Sequence, residues 1–406
     1  MNDGHGAAER VARGVPVHEA LDTTSPADWV TLDSGVRQLA PGAAALLPTR
    51  NELRHLPAGV PSPAAASRIA LALCHPNGRV RLAALERAAG AAVLRPLLVV
   101  RCADWVAPVS HRARELLAEV SGRRLVPLAG LILFLARRER GGSARELLDR
   151  ALREGPGTDV VDLLTSGDRA VRRLAHRVAV DRRLLTSAEL ARTAAASDDI
   201  RVQTLCAEAA LATMGDADVD DVLDPLLSAR SPQVRSAGVT GLRRAGRHGE
   251  AVAFLADRAR VVRACARYVL RQVGTDPLPL YREWCADPAE QPAAAAGLGE
   301  CGTGEDAETL WGLTAHPVSA VRARAVAGLR ALDAVRPDRI RPLLDDPAAP
   351  VVRAACLALR PYAAGLERDW LLARTAPEVP APTRLAARRL VVAQDRARTR
   401  GLRPAR

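Results

Sequence analysis

The sequence predicts an all-α fold, a right-handed α-solenoid of about eleven helix pairs closed by an irregular N-terminal cap. Three observations predict it. Alanine makes up about a fifth of the 406 residues, and it is the strongest helix former. Aromatic residues are only 2%, too few for a β-sandwich core or one large compact core. A short pattern recurs along most of the chain at a near-constant interval.

The pattern is plain when HPVSAVRARAVAGLRAL (His316 to Leu332) is set beside DPAAPVVRAACLALRPY (Asp346 to Tyr362). HPNGRVRLAALERAAG (His75 to Gly90) and SPQVRSAGVTGLRRAG (Ser231 to Gly246) follow the same plan. A polar residue and Pro open each unit, Val-Arg follows, and a helical apolar stripe ends it. The polar side chain can cap the first N–H groups of a helix, and Pro suits its first turn. Histidine at that place, as in His75 and His316, is the poorer cap. The marker arginines are Arg81, Arg112, Arg145, Arg172, Arg201, Arg235, Arg263, Arg322, Arg353 and Arg384. One further unit, near Pro292, has lost its arginine. From Arg81 to Arg384 is 303 residues, and ten steps give a mean of about 30, inside the range of helical solenoids.

Within a unit, Val318, Val321, Ala325, Leu329 and Leu332 follow steps of three and four, one face of a helix. Three residues after the marker usually stands a small side chain: Ala84, Ala175, Thr204, Gly238, Ala266, Ala325, Cys356 and Ala387. Small residues at a fixed place let neighbouring helices approach closely. A first helix precedes each marked one, the candidates being Ala64–Cys74, Ala92–Arg101, Val126–Arg138, Val219–Ser228, Glu305–Ala315 and Leu366–Arg374. A helix pair cannot bury both its faces, so the units must stack.

Three segments follow. Residues 1–61 lack the repeat, are rich in Pro and Gly, carry Trp29, and are expected to form a partly irregular cap. Residues 62–395 form the array. Residues 396–406 are expected to be a disordered Arg-rich tail.

These repeats resemble HEAT-like repeats, the group often labelled by similarity to phycobilin lyases. Stretches such as ALCHPNGRVRLAALERAAG and LLVVRCADWVAPVSHRARELL also resemble uncharacterised actinobacterial HEAT proteins. The resemblance spans about residues 62–394. It implies that an Asp near the inter-helix turn and the Arg after Val bond between neighbouring repeats. Asp257 with Arg263, and Asp346 with Arg353, would occupy those places. It therefore assigns Arg81, Arg172, Arg201, Arg235, Arg263, Arg322 and Arg353 first to a structural ladder.

Composition also excludes chemistry. The chain has no Lys, so its 58 basic residues are all Arg. No P-loop lysine, Schiff-base lysine or kinase lysine can exist. GLGECG (Gly297 to Gly302) fits a dinucleotide fingerprint in letters only, because an alanine run rather than a strand precedes it. DADVDDVLDPLL (Asp216 to Leu227) lacks the Gly and final Glu of a calcium loop. The eight His and seven Cys are scattered without metal-ligand spacing, and the thiols are expected to be buried and unpaired. No cofactor, metal or catalytic residue is assigned.

Of the net charge of +12, two zones carry the whole excess. From Arg235 to Arg271 there are nine Arg against Glu250 and Asp257; from Arg384 to Arg406 there are eight against Asp395. Arg243, Arg244, Arg247, Arg260 and Arg267 are the candidate partner contacts of the first zone. Arg101 and Trp105, in the fragment RCADW, are candidates too, since Trp and Arg often anchor interfaces. The longest apolar run, Leu125 to Ala136, has 12 residues, and a bilayer needs about 20. With no secretory signal at the N-terminus, a cytoplasmic protein is expected. The functional expectation is a non-enzymatic scaffold binding a protein partner on its curved surface. Phosphate-backbone binding to nucleic acid, as in HEAT-like DNA glycosylases, is the alternative, and a lyase or other enzyme the third.

Overall fold

A computed structural model describes residues 4–56, 62–138 and 140–401. Those residues form α- and 3-10 helices joined by short turns, and no strand occurs among them. The chain divides into two compact units, residues 1–186 and 187–406. Each is an all-α solenoid of helices stacked in two layers.

In the second unit one layer runs through Ile200–Thr213, Pro232–Arg244 and Arg260–Arg271, then through Ala294–Cys301, Ser319–Ala331, Ala349–Leu359 and Ala381–Gly401. Within each of these two runs every helix packs on the next. The other layer holds shorter helices, among them Ser187–Ala196, Val219–Leu227 and Ala307–Leu313. The first unit is built alike, with Pro63–Leu73 on Gly78–Ala88 and Arg95–Cys102 on Ala107–Ala118. The first helix of each pair lies within two or three residues of its predicted ends, several opening with a 3-10 turn.

Side chains at the small positions are sealed between helices: Ala84, Ala175, Ala266 and Ala325 have no exposed surface. Two glycines take this further. A Cβ on Gly299 would lie 2.2 Å from the carbonyl oxygen of Gly328, and one on Gly328 would lie 2.4 Å from that of Ala295. The backbones of Ala294–Cys301 and Ser319–Ala331 thus touch where no side chain fits. GLGECG is a helix-packing sequence for that physical reason.

The N-terminal segment is more regular than expected. It holds the helices Gly4–Ala12, Val17–Ala20, Pro26–Arg37, Pro41–Ala44 and Arg50–His55. Ser67 accepts a hydrogen bond from the Val17 N–H (3.2 Å), tying the segment to the first repeat helix. Trp29 is buried and its indole N–H donates to the Thr23 carbonyl (2.9 Å). The tail also departs from expectation. Ala381–Gly401 is one 21-residue helix, so residues 396–401 continue the last repeat; residues 402–406 lie outside those described.

Candidate functional site

The marker arginines form a repeated joint. Arg81, Arg172, Arg235 and Arg322 each donate from one terminal nitrogen to two carbonyl oxygens, six and five residues earlier, at 2.8–3.2 Å. That closes the turn before the arginine's own helix. The rest of the guanidinium reaches forward. Arg81 grips Asp104 with two bonds of 2.9 Å, Arg235 grips Asp257 at 2.8 and 2.9 Å, and Arg322 grips Asp346 with two of 2.8 Å. Each Asp also accepts the N–H two residues on, from Val106, Ala259 and Ala348. One carboxylate therefore holds the preceding repeat and fixes the turn that leads into its own helix. His75 and His316 take the same place in the turn, their Nδ1 atoms accepting from the N–H of the N-cap residues Asn77 (2.9 Å) and Val318 (3.1 Å), while the Asn77 side chain caps the helix Gly78–Ala88.

This geometry corrects the expected pairing by one repeat. The carboxylate of Asp257 belongs to Arg235, not to Arg263, and that of Asp346 to Arg322, not to Arg353. Arg263 takes only the Asp257 carbonyl (2.7 Å) and turns its other nitrogens to Glu300. Two markers were also misplaced in register. Arg201 is exposed; Gln203 makes the six-back bond, to the Ser197 carbonyl (2.7 Å), and its Oε1 accepts from the Ser231 hydroxyl of the next repeat (2.8 Å). Six residues after Asp346 stands buried Val352, so Arg353 falls one position further, on the exposed face. The small positions move with the register, to buried Cys206 and Ala355 in place of Thr204 and Cys356.

In the first unit the joint opens into a site. Arg101 is buried, donates to Asp104 (2.8 Å), and pairs with Asp33 of the helix Pro26–Arg37. Asp33 also takes two bonds from Arg37, of 2.8 and 2.9 Å. Three guanidiniums, of Arg37, Arg81 and Arg101, thus share two carboxylates. Burial, with Arg101 and Arg81 adding to it against the pull of Asp33, holds the Arg37 guanidinium below its ordinary pKa. Burial would raise the Asp104 carboxyl, but the Arg81 bonds, the Val106 N–H and the Arg101 charge hold it below the usual carboxylate range.

Over this network stands Trp105, 54% exposed. Its ring lies 4.1 Å from the Arg37 guanidinium carbon and 4.6 Å from that of Arg81. Beside it opens a cavity of about 340 Å³, walled by Leu135, Arg138 and Arg140 as well as the network. Arg138 and Arg140 are exposed and make no ion pair among the described residues. Of the two sequence candidates here, Trp105 is accessible, whereas Arg101 lies beneath it as support.

The basic zone of the second unit does not present its arginines together. Arg267 is buried and donates to Glu300 (2.8 Å) and to the Tyr281 hydroxyl (3.4 Å). Arg263 is buried on the same carboxylate, and Arg260 lies 3.9 Å from it with its side chain largely exposed. Arg247 pairs with Asp220 and Glu250. Arg243 and Arg244 are exposed, Arg243 lying 5.8 Å from the Tyr268 ring. Glu300 was missed in the sequence because it stands 37 residues beyond Arg263, in the unit that lost its marker.

Five of the seven cysteines are buried, Cys265 and Cys301 are half-buried, and none is bonded to another. No group of His, Cys, Asp or Glu fit to hold a metal occurs among the described residues. No helix among them is long and apolar enough to cross a membrane.

No family model matches the sequence, and no curated protein matches it. Among solved structures, the chain is similar to an engineered protein of the Northeast Structural Genomics Consortium, at 14% identity and a TM-score of 0.22, covering 96% of this chain and 99% of that one. It is similar to Kap121p bound to RanGTP at 14% identity and a TM-score of 0.26, covering 82% of this chain and 44% of that one. It is similar to importin beta at 13% identity and a TM-score of 0.28, covering 98% and 61%. The chain thus spans less than two thirds of the length of the latter two.

Proposed function

We propose that this chain is a non-enzymatic HEAT-like repeat scaffold that binds a protein partner, with Trp105 as a principal contact. The observation that supports this is an exposed indole resting against two guanidiniums, one fixed by buried Asp104 and the other by half-buried Asp33. Such a ring offers a large apolar face with little freedom left to lose on binding. Trp and Arg at a rigid centre beside a cavity are the usual composition of an interface hot spot. Arg138 and Arg140 would meet an acidic side chain of the partner at the cavity mouth.

The test is affinity capture with the wild-type protein and with Trp105→Ala, with thermal unfolding as the folding control. A partner retained by the wild type and lost by a folded Trp105→Ala protein supports the reading. Partners retained equally by both sink it.

Phosphate-backbone binding is the second reading, and exposed Arg243, Arg244 and Arg260 favour it. Duplex DNA binding across a salt series tests it. Substituting these three by Gln should make the log–log slope shallower by about 2–3.

A further inference from the structure

The last two long helices of the second unit, Ala349–Leu359 and Ala381–Gly401, leave a groove of about 880 Å³ between them. Its floor is apolar. Leu357 and Val392, each 48% exposed, face it, with Leu390 and Ala393 behind. Its rim is made of arginine alone. Arg353 and Arg360 bracket Leu357 on one side; Arg388, Arg389 and Arg396 line the other.

None of these five guanidiniums forms an ion pair or a side-chain hydrogen bond among the described residues, and no acidic residue lines the groove. Asp395, the nearest carboxylate in sequence, turns away to Arg368 (2.7 Å). At the repeat joints, by contrast, Asp or Glu meets the arginines.

An apolar floor under a purely cationic rim selects its occupant. A free phosphate would pair with the rim and leave the floor wet. A nucleic-acid backbone would do the same, with no aromatic ring in the groove for a base to stack on. A volume of this size takes several side chains. We infer that the groove between Ala349–Leu359 and Ala381–Gly401 docks an acidic amphipathic protein segment, its apolar side chains on Leu357 and Val392 and its carboxylates on the arginine rim. Spaced at i, i+3 or i+4, apolar anchors would fall on one face of a docked helix.

Fluorescence polarisation tests this with the full chain and three labelled probes. The first is a peptide of about four helical turns carrying Leu at helical spacing and Glu elsewhere. The second has the same composition with the Leu residues dispersed, and the third is an oligothymidylate of similar charge. We expect saturable binding of the first, at least about tenfold weaker binding of the second, and weaker binding still of the third. Leu357→Ser and the pair Arg360→Gln/Arg389→Gln should each weaken the first by about tenfold. All three positions are exposed, so folding should survive, and the thermal midpoint checks it. Trp105→Ala should bind the first peptide as the wild type does, which separates this groove from the Trp105 reading. Equal binding of both peptides, tighter binding of the oligonucleotide, no binding, or binding unchanged by the folded variants would each overturn the inference.

Discussion

Arg81 and Asp104 are 23 residues apart in sequence, yet they meet in two parallel hydrogen bonds of 2.9 Å with neither side chain exposed to solvent. The pair fixes the first repeat to the second and supports Trp105 above it. Removing one partner leaves buried cations without a counter-charge. Asp104→Ala should therefore destabilise the first unit by about 3–5 kcal/mol, read by urea unfolding. Arg112→Ala, which breaks an exposed pair with Glu86, should cost less than about 1 kcal/mol. Similar losses in the two variants would show that the joint has no special weight.

The register correction is testable at neighbouring positions. Gln203 bridges the Ser197 carbonyl and the Ser231 hydroxyl, while Arg201 points to solvent. Gln203→Ala should lower stability by about 1–2 kcal/mol through the two lost hydrogen bonds. Arg201→Ala should stay within about 0.5 kcal/mol of wild type. The reverse order in thermal unfolding would restore Arg201 as the marker.

Backbone contact at Gly299 leaves no space for a methyl group. Gly299→Ala would place a Cβ about 2.2 Å from the Gly328 carbonyl oxygen, so the two helices must separate. A loss of about 1–3 kcal/mol is expected from this overpacking, despite the better helix propensity of Ala. Gly249 has open space around it, and Gly249→Ala serves as the control. Equal stability of the two variants would contradict the close crossing.

Acid should act in two steps. Burial first, then the Arg81 charge, holds the His75 imidazole below its ordinary value of 6.5, and its Nδ1 accepts a bond only when unprotonated. The folded state thus binds this proton less readily than the unfolded chain. Stability from His75 is complete above about pH 6.5 and falls as the pH drops through that value. His75→Asn keeps an acceptor and should flatten the curve between about pH 7 and 5. Asp104, Asp257 and Asp346 are also lowered, burial being outweighed by their arginines, so their contribution is lost only below about pH 4. Denaturant midpoints across pH would show both steps; an unchanged curve in His75→Asn would remove the first.

Much of the fold was legible because it is written many times. The interval of about 30 residues, the small positions and the first helix of each pair all follow from local pattern. Arg201 and Arg353 were misread because the Val-Arg pair was matched by letters. The physical rule is the distance of six residues from the polar residue that opens the turn, which places Gln203 and Val352 there instead. The Trp105 site was half legible. RCADW supplied Arg101, Asp104 and Trp105, but Asp33 and Arg37 come from a helix outside the repeat, about 70 residues away. The arginine groove was half legible: the basic zone from Arg384 held Arg388, Arg389 and Arg396, but Arg353 and Arg360 opposite them belong to the preceding repeat.

Each ladder aspartate belongs to two repeats at once, but none of these pairs hands its coupling on to another. Six residues after Asp104 and Asp346 stand Ser110 and Val352, and six after Asp257 stands Arg263, which turns to Glu300. The ladder is therefore a set of separate clamps, each closing one pair of repeats, and removing one should loosen that pair while the others stay closed.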